Sequence, residues 1–221
     1  MCYSLEASIT AGLGLGLAGF GMISKSLRHD KRMLLFAAFP LVFSVHQFLE
    51  AAVWLTLNDP AEGQIFRYLY TLIAFTFWPV FTPFAAAYAE TDPQRKRLFL
   101  WMGATGLILA IYLIAKLAGA EGIDISVVRH SLAYDPLFER PPLIAHFLYV
   151  VLTVAPLVMS DRRAINIFGG AVFVTFFLAL AANLPAWYSL WCLAAAVFSL
   201  VIALGIEEER SSDFDELEMQ R

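Results

Sequence analysis

Within an apolar run from Met33 to Leu57, the chain places His46, Glu50 and Trp54 at i, i+4 and i+8, with Gln47 between the first two. That spacing puts the three on one face of a helix and Gln47 on its flank. An imidazole and a carboxylate one turn apart can ligate zinc, iron or copper. They can also pass a proton between them as acid and base. Such groups are costly in hydrocarbon and usually turn towards a bundle interior or a water-filled cavity. A lone buried carboxylate must pair, coordinate a cation or stay protonated, so Glu50 is the hardest of the set to explain as packing.

Other positions extend the set. His146 begins a face that continues with Tyr149 and Thr153 at i+3 and i+7. Cys2 has a side chain small enough to favour removal of Met1. Removal leaves an N-terminal cysteine whose amine and thiolate are adjacent, a bidentate soft ligand or an activated nucleophile. The expected metal ligands are therefore Cys2, His46, Glu50 and His146, gathered from separate helices as bundles do. The metal is expected to be a transition metal, zinc, iron or copper. His-x-x-x-Glu is not the metalloprotease pattern, which needs a second histidine. Structural roles stay open for each residue. His46 can bond a backbone carbonyl in the core, Glu50 can pair with Lys116 or His146, Lys116 can snorkel, and Cys192 can pack as a small apolar group. His29 and His130 fall in loops.

The elements that position these side chains are membrane spans. Of 221 residues, 60% are hydrophobic and 15% charged, and the mean hydropathy is +0.69. A soluble domain runs nearer about half apolar and about a quarter charged. Seven apolar runs are long enough to count: Leu5 to Ser24, Met33 to Leu57, Phe66 to Ala89, Leu98 to Ala118, Pro142 to Met159, Ala164 to Leu184 and Tyr188 to Ile206. Pro40, Pro79 and Pro83 are expected kinks. The expected fold is thus all-α, a polytopic seven-transmembrane-helix bundle over residues 1–206. An acidic, disordered tail is expected over 207–221. No basic n-region or cleavage site precedes the first run, which is expected to be retained. The net charge of -4 lies largely in the tail, so nucleic acid is not an expected partner. Two cysteines, Cys2 and Cys192, make no disulfide framework.

Lys25, Arg28, Lys31, Arg32, Arg95, Lys96, Arg97, Arg162 and Arg163 all fall in the connections after the first, third and fifth runs. The positive-inside rule then places the N-terminus outside and the C-terminus in the cytoplasm. With that orientation His46 lies near mid-membrane, and Glu50, His146, Lys116, Asn183 and Cys192 lie in the outer half. The one sizeable connection, Glu121 to Pro141, is outside. The run Gly14-Leu15-Gly16-Leu17-Ala18-Gly19 fits G-x-G-x-x-G, but it sits inside a span and lacks the strand that dinucleotide binding needs. Gly12 with Gly16, and Gly14 with Ala18, are small-residue pairs suited to close helix packing. Tryptophans and tyrosines at span ends fit an interfacial belt.

The opening Met1-Cys2-Tyr3-Ser4-Leu5-Glu6-Ala7-Ser8, with His46-Gln47-Phe48-Leu49-Glu50-Ala51-Ala52-Val53-Trp54, resembles a family of small bacterial membrane proteins that begin Met-Cys-Phe-Ser or similar and carry a His-Gln-x-x-Glu helix. The resemblance implies that the N-terminal Cys-x-Ser and the His-Gln-x-x-Glu helix belong to one site, in a bacterial cytoplasmic membrane; it implies no activity. Ser44-x-His46 is also similar to the serine-and-histidine span of seven-span zinc hydrolases related to alkaline ceramidases and adiponectin receptors. The seventh run, however, lacks the His-x-x-x-His pair of that family.

The leading expectation is a metal or cofactor site in the outer half of the bundle. One alternative is an intramembrane hydrolase acting on a lipid or small amphiphile, with Glu50 as general base. Another is a proton-coupled transporter in which Glu50 and His46 relay protons. A receptor would need a separate signalling partner, since the tail is short. Membrane lipid and a small amphiphilic ligand are the expected partners.

Overall fold

A computed structural model describes residues 4–182, 186–203 and 205–206. Helix α1 (Leu5–His29) starts where the Ser4 hydroxyl accepts the Ala7 N–H at 3.2 Å, satisfying one of the free donors of the first turn. The second run is built in pieces. A 3-10 turn (Lys31–Met33) leads to the short α2 (Leu34–Ala37), and α3 (Phe39–Leu55) restarts with Pro40 in its first turn, where a missing N–H costs nothing. Helix α4 (Pro60–Leu72) passes through a π-helical segment (Ile73–Phe77) into α5 (Trp78–Ala89). Helices α6 (Pro93–Ala118), α7 (Leu143–Val158), α8 (Arg163–Ala182) and α9 (Trp187–Phe198) follow. Asp59 and Asp92 cap α4 and α6 with their carboxylates.

Five helical runs are long and apolar enough to cross a membrane: Leu5–His29, Lys31–Leu55, Ala61–Ala89, Pro93–Ala118 and Arg163–Ala182. The chain is therefore an integral membrane protein. The two shorter apolar helices, Leu143–Val158 and Trp187–Val201, correspond to the expected fifth and seventh spans. At about 1.5 Å per residue, the 16 residues of α7 reach less than the roughly 30 Å of a bilayer's hydrocarbon.

Helix α1 packs along α3 through the small residues expected of it, with one difference in face. A Cβ on Gly19 would lie 2.7 Å from the Leu41 nitrogen and one on Gly16 3.0 Å from the Ser44 hydroxyl, while Gly14 faces open space. The contact stripe is Gly12, Gly16 and Gly19, and the Gly14–Ala18 pair plays no part in it. Ser44 fixes the crossing by donating to the Gly12 carbonyl at 2.6 Å. The core between α2, α3, α5, α7, α8 and α9 is aromatic, with Phe36, Phe39 and Phe168 almost fully buried.

The connection Glu121 to Pro141 is not a plain loop. Ile123–Val128 (β1) and Ser131–Pro136 (β2) pair antiparallel, Val128 opposite Ser131, so the fold is not purely α. The turn is Arg129 and His130, both at positive φ, 50° and 61°. Two-residue hairpins favour such turns because their twist matches the strands, and Asn-Gly is their usual sequence; Arg-His gives no such signal. Ile123 and Leu132 are fully buried, so the hairpin is packed onto one end of the bundle. At the other end, which carries the basic residues, Arg162 binds Asp30 at 2.8 Å, and Arg95 forks onto Asp161. The expected tail, 207–221, lies outside the described residues.

Candidate functional site

Helix α3 buries the face that the spacing marks. His46 and Glu50 are fully buried and Gln47 nearly so. Gln47 Nε2 donates to Glu50 Oε2 at 3.1 Å. His46 Nε2 lies 3.2 Å from the Tyr70 carbonyl. A carbonyl only accepts, so Nε2 carries the proton, and in the neutral ring Nδ1 holds the lone pair. Nδ1 has no hydrogen-bond partner among the described residues.

Above His46 stands a column of rings. The His46 imidazole stacks on Tyr70 at 3.9 Å between centroids, and Tyr70 stacks on Tyr134 of β2 at 4.2 Å. The Tyr70 hydroxyl donates to Ser189, whose hydroxyl donates in turn to the Leu132 carbonyl at 2.9 Å. The hairpin is thereby tied to the polar face of α3. Two residues of α4 hold its start. Gln64 accepts the Ile123 N–H at 3.1 Å, and the buried Arg67 donates to the Ile123 carbonyl at 3.1 Å.

The π-helical segment has a local cause. Pro79 has no N–H, so a carbonyl about one turn before it loses its intrahelical donor. Widened turns of this kind commonly mark functional positions. Here the Tyr149 hydroxyl of α7 donates to the Ala74 carbonyl at 2.5 Å. The kink expected at Trp78-Pro79 thus becomes a docking point for a side chain from a distant span.

Next to the column lies a cavity of about 500 Å³ between the hairpin, α7, α9 and the π segment. Phe75, Tyr134, Tyr149, Trp187 and Tyr188 supply aromatic wall. Asp135, Arg140 and His146 supply polar groups, with His146 Nδ1 held 3.3 Å from the Pro142 carbonyl.

The structure separates the expected ligands into two neighbourhoods. His46 and Glu50 share the sealed face of α3, whereas His146 belongs to the cavity, and Cys2 lies outside the described residues. Among the described residues no group of three or more histidine, cysteine, aspartate or glutamate side chains is placed to hold a metal. Lys116 pairs with Glu139 at 3.0 Å, which leaves the anticipated Glu50–Lys116 pair unmade. Trp191 is buried and donates to the Val172 carbonyl at 2.9 Å. Asn183 lies outside the described residues. Sequence reasoning missed Tyr70 and gave no role to Tyr134 or Arg67, which it left in outer connections. Alternation in Ile123-Asp124-Ile125-Ser126 was the available sign of the strand, and nothing in the sequence marks Tyr70 as the middle of a stack.

No curated protein and no solved structure matches the chain. Its sequence does match the profile of a family of unknown function (DUF6629) over residues 1–216, nearly its whole length, and the chain belongs to that family.

Proposed function

We propose that this integral membrane protein binds a small amphiphile in the cavity beneath the hairpin. One observation carries the reading: a space of about 500 Å³, aromatic on its walls and polar at Asp135, Arg140 and His146. That volume falls in the range of small-molecule sites, about 300–1,000 Å³. An apolar body would lie against Phe75, Tyr149 and Trp187, and an anionic or zwitterionic head would meet Arg140 and His146. With seven spans and the basic residues of the opposite end in the cytoplasm, the hairpin end faces outward, and the cavity opens towards the outer side of a bacterial cytoplasmic membrane. A lipid hydrolase is the weaker reading, because neither His46 nor Glu50 lines this cavity.

The test is to fill the space. Ala145 is buried and lines the cavity, so Ala145→Trp places an indole where the ligand body would lie. Mass spectrometry of small molecules extracted from the purified protein should find an amphiphile near one per chain in the wild type. The folded variant should lose most of it. Equal content in both would reject the cavity as the site.

A metal remains a second reading, supported by the unpartnered, buried Nδ1 of His46 and by Glu50 one turn away. In this reading Cys2 completes the site and His146 does not. Elemental analysis is expected to give zinc, iron or copper in the wild type and none in His46→Ala or Glu50→Ala. Metal-free wild-type protein would end this reading and leave the cavity proposal untouched.

A further inference from the structure

The cavity beneath the hairpin is lined by one carboxylate and one guanidinium. Asp135 belongs to the end of β2, and Arg140 lies just ahead of α7. Among the described residues neither is in an ion pair, with each other or elsewhere. The charges around them are already engaged: Glu139 holds Lys116 at 3.0 Å, and Arg129 donates to the Ala182 carbonyl at 2.9 Å. The hairpin register sets Asp124 directly opposite Asp135. Like charges in that position repel, so this corner of the hairpin favours a cation. Aromatic wall lies beside it. Tyr134 adjoins Asp135 in β2, and the Tyr188 ring lies 4.7 Å from that of Phe75 between centroids. The faces of such rings attract ammonium groups, quaternary ones above all. Arg140 has the opposite preference, because its planar fork matches a phosphate or carboxylate. A head of one sign alone would satisfy one of the two residues and be repelled by the other.

We propose that the head of the amphiphile is a zwitterion, a quaternary ammonium joined to a phosphate or carboxylate. The ammonium lies by Asp135 and the rings of Tyr134 and Tyr188, and the anion lies on Arg140. His146 spends Nδ1 on the Pro142 carbonyl, which leaves Nε2 to meet the head. The inference rests on the cavity being an amphiphile site, and it names the chemistry that the site selects.

Three probes with the same short chain test it: hexylphosphocholine, hexyl phosphate and hexyltrimethylammonium. Each is titrated calorimetrically into the full-length protein, washed free of native lipid in an uncharged maltoside detergent, against protein-free micelles. The wild type should bind hexylphosphocholine about tenfold or more tighter than either singly charged probe, the worth of one hydrogen bond to a charged group. Asp135 and Arg140 are exposed, so Asp135→Asn and Arg140→Gln should fold, and each should weaken hexylphosphocholine about tenfold. Asp135→Asn should also weaken hexyltrimethylammonium and spare hexyl phosphate, and Arg140→Gln should do the reverse. Hexyl phosphate bound tightest by the wild type, no probe bound at all, or an equal loss for all three probes in both variants would overturn the zwitterion. Each of these results leaves the cavity itself to the Ala145→Trp test. Glycerophosphocholine, the same head without the chain, should bind far more weakly than hexylphosphocholine. Equal binding of the two, with the charge variants behaving as expected, would uphold the zwitterion as a free solute and overturn the amphiphile reading instead.

Discussion

Replacing Tyr70 by alanine is expected to cost about 3–5 kcal/mol, as large aromatic truncations in cores do, and to loosen the hairpin from the bundle. Tyr70 is among the largest fully buried side chains of the protein, at 1% exposure. Its ring is the middle member of the column, so truncation breaks the stack on His46 and the stack on Tyr134 together. Its hydroxyl orients Ser189, which holds the Leu132 carbonyl of β2. The bond from His46 survives, because it ends on the Tyr70 backbone carbonyl; the loss therefore reports the ring and hydroxyl alone. Tyr70→Phe keeps both stacks and should cost only about 1 kcal/mol, the net worth of one hydrogen bond. Two measurements separate the cases. Thermal unfolding should fall steeply for alanine and slightly for phenylalanine. Trypsin cleavage at Arg129, exposed at the hairpin turn, should speed up about tenfold or more in the alanine variant, since proteolysis follows the population of the opened form. A Tyr70→Ala protein whose hairpin resists trypsin as well as the wild type would show that the column does not hold it.

The column also explains which parts of the site were legible in the sequence. His46, Gln47 and Glu50 announce themselves because ionisable and amide groups inside a long apolar run are rare and must be buried in protein. The spans follow from composition for the same reason. Tyr70 carries no such signal, since a tyrosine in an apolar helix is an ordinary packing residue, and only tertiary placement puts it between His46 and Tyr134. The hairpin was hidden differently. Its strands alternate, yet its turn residues, Arg129 and His130, are not those that positive φ normally selects, and the packed bundle overrides their local preference. His146 was grouped with His46 from depth alone. Depth along a helix does not fix which way a side chain turns, and α7 directs His146 to the cavity. Pro79 was readable as a kink, but the use made of it, a carbonyl offered to Tyr149, depends on the neighbour that arrives from α7.

A glycine of α6 packed against α5 gives the second large prediction, and it acts on the same region. A Cβ built on Gly106 of α6 would run into the Pro79 carbonyl, a backbone atom that cannot swing aside. Gly103, one turn earlier, meets only the Phe84 ring, at 2.9 Å, and a ring can rotate. Gly106→Ala should therefore destabilise, by about 1–3 kcal/mol as overpacked cores do, despite alanine's intrinsic advantage of about 1 kcal/mol in a helix. Gly103→Ala should sit near the wild type, its propensity gain offsetting a small adjustment of Phe84. The damage should spread beyond stability. Pro79 directly follows the π segment and Trp78, and α6 carries Leu113 into the wall of the large cavity. Pushing α6 away from Pro79 moves that wall and disturbs the nearby Ala74 carbonyl, to which Tyr149 donates. The expected pattern is a lowered unfolding temperature in Gly106→Ala together with less amphiphile retained on purification, and neither change in Gly103→Ala. A Gly106→Ala protein that melts at or above the wild-type temperature would mean that α5 and α6 do not approach this closely at Pro79.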